Sequence, residues 1–227
     1  MAKKPKVMSP QEIHKIFEAQ TQNVKELNGA WKHINRTING AYRNDDLMLV
    51  GLQTRMLGLV FSAYAEATFS KLIHTPCCFN GLEINQIKAA GKKDIIKAWH
   101  ESVKLGTRKI SSKRSSHIPN IKQSINRLID TYIKEPSLIR NKVAHGQWKV
   151  SLNRENDSIN TEMTSKINSL DVVELYRYKV AFDKLSAIVE DIIESPNKAH
   201  WKFYWDHVSK FESEQNKMSS WTVEKKD

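Results

Sequence analysis

Residues 47–73 constrain this chain more than any other stretch, because they are dense in Leu, Met, Val, Phe and Ala and carry too few polar side chains to cover one face of a helix. A helix that is apolar nearly all round must be wrapped by others. It is therefore expected to be the central helix of the fold. Asn44-Asp45-Asp46 offers it an N-cap and Pro76 stops it. Its longest unbroken apolar runs, at 47–52 and 56–61, each include a glycine and fall far short of the roughly 18 residues that span a bilayer. No integral membrane protein is expected. Glu66 stands within the stretch, between Ala65 and Ala67. A carboxylate there must be paired, protonated or turned toward a polar cleft, and an exposed edge of the helix or a salt bridge to a neighbour is the favoured reading over a functional role.

The partners of that helix are legible on either side. Ser9-Pro10-Gln11-Glu12 is a capping box with proline at the first helical position. Ile13, Phe17, Val24, Leu27, Trp31, Ile34, Ile38 and Ala41 then follow steps of three and four, with Gln20 the one polar occupant of the stripe. This spacing predicts a long amphipathic helix able to pair within the chain or with a second copy. Residues 80–105 read as two shorter helices interrupted at Gly91, and 106–116 as a mobile basic loop. Another helix is expected from Pro119 through Tyr132, with a break or kink at Pro136. A further helical segment over 137–145 is ended by Gly146. Residues 148–152 and 158–164 flank a turn-rich stretch and suggest a small β-hairpin. Asp171 caps a long helix, and Pro196 opens an aromatic one with Trp201, Phe203, Tyr204, Trp205 and Phe211. Residues 1–8 and the tail from Gln215 are expected to be flexible. Only eight glycines and six prolines argue against a turn-rich all-β chain. With no internal repeat and no long linker, the expectation is one all-α domain over residues 1–227.

Charge and cysteine usage bound the function. The net charge is +11, and residues 92–127 hold ten basic side chains against Asp94 and Glu101. Most of the excess therefore lies in one region, Lys113 and Arg114 among it. Polyanions are natural partners of such a surface, although a solvated basic face is an equal alternative on charge alone. Cys77 and Cys78 are adjacent, which disfavours an ordinary disulfide and leaves too few ligands for zinc. The basic N-terminus passes into Ser9-Pro10 without an apolar signal segment. A cytoplasmic location is expected.

No phosphate-cradling glycine loop, nucleophile elbow or His/Cys metal signature is present. Chemistry must then rest on few groups, with no metal or cofactor expected. The candidate is residues 137–148, which contain Arg140-Asn141-Lys142-Val143-Ala144-His145-Gly146. On an ideal helix Arg140 and His145 lie about 140° apart. Sharing a face requires a distorted helix or a long reach by Arg140.

With Arg140, a polar Asn141 and His145 after four intervening residues, the segment resembles the signature of the HEPN superfamily (higher eukaryotes and prokaryotes nucleotide-binding domains). A helical bundle with a long first pair of helices, a basic stretch and Ala-His-Gly-Gln-Trp leading to a hairpin also resembles one bacterial branch, over most of residues 10–212. The resemblance implies a metal-independent endoribonuclease, a toxin or anti-phage effector that dimerises so that two motifs line one cleft. It makes Arg140, Asn141 and His145 catalytic candidates, and the residue chemistry agrees. Metal-free RNA cleavage needs a proton acceptor, a proton donor and positive charge, which imidazole and guanidinium provide. One histidine does not easily do both proton transfers, and a symmetric dimer supplies two. Lys142, with Lys113 and Arg114, is the expected substrate-binding set. An antitoxin or sensor partner is a further implication. Members silenced by a partner nucleotidyltransferase resemble one another in a Tyr two residues after the motif His; Gln147 stands there, so control of that kind is not expected.

Two readings compete. A non-catalytic module would hold nucleic acid or a partner through the basic segment, with the motif incidental and Trp201, Tyr204 or Trp205 stacking on bases. A structural protein would assemble through the stripe of the first helix.

Overall fold

A computed structural model describes residues 6–92, 94–111 and 117–223, except for the side chains of Ala199 and Trp201. It is all-α, with 77% of the chain helical and no strand among the described residues. The order is α1 (Pro10–Arg43), α2 (Leu47–Ile73), α3 (Gly81–Gly91), α4 (Ile95–Thr107), α5 (His117–Tyr132), α6 (Lys134–Ala144), α7 (Thr161–Asn168), α8 (Val172–Glu194) and α9 (Ala199–Met218).

The caps set these boundaries. Ser9 and Glu12 form the expected reciprocal box, while Asp46, Asn80, Asp94, Asn160 and Asp171 each accept a backbone N–H in the next first turn. The helix α2 is central as expected: α1 runs along it, and α6 and α8 cover other sides. By length and composition alone α2 would also cross a bilayer, with a mean hydropathy of 1.3 in its most apolar window. In this fold its Phe61 meets Phe182 of α8 edge to face at 6.1 Å, and Phe182 meets Trp99 of α4 at 5.7 Å. That aromatic centre belongs to a core shared by α1–α5, α8 and α9.

A smaller apolar cluster lies to one side of the main core. Ile139 and Val143 of α6 meet Ile167 of α7 there, with Leu59, Trp148, Met163 and Tyr178 packed around them. The helix α6 is therefore seated on a satellite core.

Several boundaries differ from the sequence expectation. The break before α6 comes at Ile133, and Pro136 falls in the first turn of α6, where a missing N–H costs nothing. Ile133 N–H still reaches Ile129 O at 3.0 Å, so α5 and α6 nearly join. In place of the suggested hairpin there is one antiparallel bridge, Leu152 to Ile159. Residues 161–168 are helical because Asn160 caps them through Met163 N–H at 2.9 Å and Ile167 is buried one turn later. The helix α5 starts at His117, two residues before Pro119, while α9 starts three residues after Pro196. It runs past Gln215, which is buried with Met218, and Trp221 stacks on Tyr176 at 6.2 Å. Residues 215–223 are thus held to the fold, and residues 224–227 of the expected flexible tail lie outside the described residues. Of the expected mobile loop, 106–107 close α4, while residues 112–116, like 1–5, lie outside the described set.

Candidate functional site

The six-residue interval from Arg140 to His145 ends a helix, and its two ends face apart. Arg140 turns inward against α2, where its Nη1 donates to Glu66 Oε1 at 3.0 Å and reaches Ser62 Oγ at 3.4 Å. Only 8% of the Arg140 side chain is exposed, against 66% for Glu66. Arg140 borders a small cavity whose walls include Phe61, Trp99, Tyr132 and Phe182. Glu66 therefore lies on an exposed edge of α2 and salt-bridges a neighbour, and the buried partner of the pair is Arg140.

Asn141 and His145 are exposed, as is Leu138, so the outer side of α6 carries these three. His145 is the C-cap, its N–H donating to Asn141 O at 3.0 Å. Gly146 follows in the left-handed region at φ 79°, a conformation that a side chain makes costly. Among the described residues no hydrogen bond holds the His145 ring. The structure thus keeps Arg140 and His145 on different sides of α6, as the ideal helix required, and brings neither to the other within one subunit.

The turn after His145 is fixed from three directions. Gln147 Oε1 accepts from Ser151 Oγ at 3.0 Å and from Leu152 N–H at 2.9 Å. Lys142 Nζ donates to Leu152 O at 2.6 Å. Arg55 of α2 donates through Nε to Trp148 O at 3.0 Å and through Nη1 to Gly51 O at 3.0 Å. Arg55 and Gln147 were not singled out as site residues from the sequence. The available signal was a lone arginine inside the most apolar helix, which had to be anchored to something. Tyr178, beneath this region, has its phenol held well above the usual range by burial and by the Glu174 carboxylate, so it stays protonated.

Lys113 and Arg114 lie outside the described residues. Elsewhere in the basic segment, Lys97, Lys104 and Arg108 are exposed at helical spacing along α4. Lys104 is paired with Glu101 at 2.9 Å, and Arg127 with Glu212 at 2.5 Å. Lys109 donates to Cys78 O and sits 3.7 Å from Glu83. Part of the positive charge is therefore balanced internally. Of the aromatic candidates on α9, Tyr204 is core and Trp205 is 54% exposed. Cys77 and Cys78 are free thiols, and burial pushes Cys78 up to about 11. Among the described residues no three His, Cys, Asp or Glu side chains are grouped to hold a metal ion.

The chain matches no family model, no curated protein and no solved structure.

Proposed function

We propose that the chain is a metal-independent endoribonuclease with a HEPN-like bundle, acting at a cleft shared by two copies. The observation that carries the reading is the placement of His145: an exposed imidazole at the end of α6, one turn on from exposed Asn141, followed by a segment whose carbonyls at Trp148 and Leu152 hold the Arg55 and Lys142 cations. The exposed ring is open to a substrate hydroxyl, within whose hydrogen-bond reach a general base must lie.

In this reading His145 takes the proton of a 2′-hydroxyl as its oxygen attacks the adjacent phosphorus. The bond to the 5′-oxygen breaks, and that oxygen takes a proton from the partner subunit's His145. Cations beside the ring stabilise the charge on the phosphorane. Asn141 orients the phosphate, and Arg140 fixes α6 to α2 through Glu66. Leu138 on α6 and Met48, Leu52 and Met56 on α2 are exposed apolar side chains that contact with a second copy would cover. A toxin or anti-phage role, restrained by an antitoxin or triggered by a sensor, follows as part of the same proposal.

The end groups of an RNA digest made in EDTA test this. Fragments with 2′,3′-cyclic phosphate and 5′-hydroxyl ends are expected, whereas 3′-hydroxyl and 5′-phosphate ends would contradict the mechanism. The burial and neutralisation of Arg140 favour the second reading, a non-catalytic RNA-binding module. That module would bind RNA in a salt-sensitive way after substitution of Arg140 or His145, and weaken when Lys113 and Arg114 are neutralised.

A further inference from the structure

Two arginines of this fold are held against the motif region, and their surroundings differ in one decisive respect. Arg140 is almost wholly buried and its charge is balanced by Glu66 at 3.0 Å. To touch a phosphate it would have to leave both that carboxylate and its apolar pocket. Arg55 has no carboxylate partner among the described residues. Its two hydrogen bonds go to carbonyl oxygens, Trp148 O and Gly51 O, each at 3.0 Å. A carbonyl orients a guanidinium without cancelling its charge, and a guanidinium has five N–H donors. Three donors of Arg55 are therefore left after both bonds are made.

Lys142 repeats the pattern. Its Nζ is fixed to Leu152 O at 2.6 Å, and no acidic side chain among the described residues pairs with it. The two cations thus hold the segment that follows His145 at two points, Trp148 and Leu152. Gln147 locks the turn from within, through its bonds to Ser151 and Leu152. Arg55 is partly exposed, as is Lys142, so the remaining donors can meet a ligand. Cations oriented by carbonyl oxygens and carrying no counter-charge suit the recognition of a phosphodiester.

We infer that Arg55 and Lys142 form a phosphate-binding subsite on the segment that follows His145, and that Arg140 is a positioning residue acting through Glu66. The inference rests on the nuclease reading for its substrate class, RNA, and reassigns which guanidinium meets the backbone.

Binding of a 2′-O-methyl oligoribonucleotide, which cannot be cleaved, separates this from catalysis. Its affinity is measured by fluorescence anisotropy across a series of KCl concentrations, for the full chain and its variants. Each lost phosphate contact flattens the dependence of log K on log salt by about 0.7 for a single strand. Arg55→Gln is expected to bind about tenfold more weakly at low salt with that flattening, and Arg55→Lys to recover the parent slope, since it restores charge. Arg140→Gln is expected to keep the parent slope. If Arg55→Gln does not fold, Lys142→Gln carries the test, with the same flattening expected. A parent that does not bind the oligonucleotide overturns the inference. So does Arg55→Gln, or Lys142→Gln in its place, binding with the parent slope, and so does Arg140→Gln losing it. Absence of cleavage of ordinary RNA would instead count against the nuclease reading, and leaves this binding readout intact.

Discussion

Replacing Glu66 with Ala is the sharpest probe of how α6 is held. The substitution removes the acceptor of a charge-assisted hydrogen bond whose donor, Arg140, is only 8% exposed, and leaves Ser62 Oγ at 3.4 Å as the remaining partner of Nη1. Hydrogen bonds to charged groups contribute about 1.5–3 kcal/mol. The lower end applies, because Glu66 is 66% exposed and water screens and partly replaces it. Alanine also gains a few tenths of a kcal/mol in helix propensity, about 0.3 here. The net expected loss is about 1 kcal/mol, or about 2–4 °C in Tm for a chain of this length. Arg140→Met should be near neutral, since it puts an apolar side chain beside Phe61, Trp99, Tyr132 and Phe182 and frees Glu66 to solvent. In that background Glu66→Ala should cost nothing, giving a coupling of about 1–1.5 kcal/mol in a double-mutant cycle read by urea unfolding. An equal cost of Glu66→Ala in both backgrounds would refute the claim that this ion pair anchors α6.

Other consequences are as concrete. His200 is 1% exposed, neither ring nitrogen has a hydrogen-bond partner among the described residues, and burial first, then the nearby His117, pushes it down to about 4. The unfolded chain protonates this group at about 6.5, so it takes up the proton before the folded one does. Stability is therefore expected to fall by about 2–3 kcal/mol as pH drops from about 6.5 to 4, at about 1.4 kcal/mol per unit. His200→Leu should flatten that part of the Tm profile, and an unchanged profile would count against the assignment. Gly146→Ala meets no steric contact within 4 Å, so its cost is backbone strain at φ 79° alone. A loss of about 1–2 kcal/mol is expected on urea unfolding. A stabilised Gly146→Ala protein would show that the turn after His145 is not held in the left-handed region.

How much could be read in advance varied with the range of the interaction involved. The all-α class, the capping box at Ser9 and the central place of residues 47–73 were legible because each depends on near neighbours or on bulk hydrophobicity. Gly146 was legible as a helix stop for the same reason. Residues 158–164 misled because alternating polarity over a few residues fits a strand as well as a one-turn helix start, and Asn160 decides it by capping. At the site, the exposed end at His145 follows from local helix geometry. The pairing of Arg140 with Glu66 spans 74 positions and the bond from Arg55 to Trp148 spans 93. No local pattern selects such partners. The apolar sequence around Glu66 did not show that its side chain reaches solvent at the edge of α2.

The central claim is that the exposed imidazole of His145 performs proton transfer on RNA. It is tested most directly by the rate of RNA cleavage in EDTA for the parent chain beside His145→Ala, with melting temperature as the control. Removal of one catalytic acid–base group is expected to lower the rate by at least about 10²–10⁴-fold. Because the ring is exposed and makes no hydrogen bond among the described residues, the melting temperature should change by no more than about 1–2 °C. Undiminished cleavage by a folded His145→Ala protein, or no cleavage by the parent, would contradict the account.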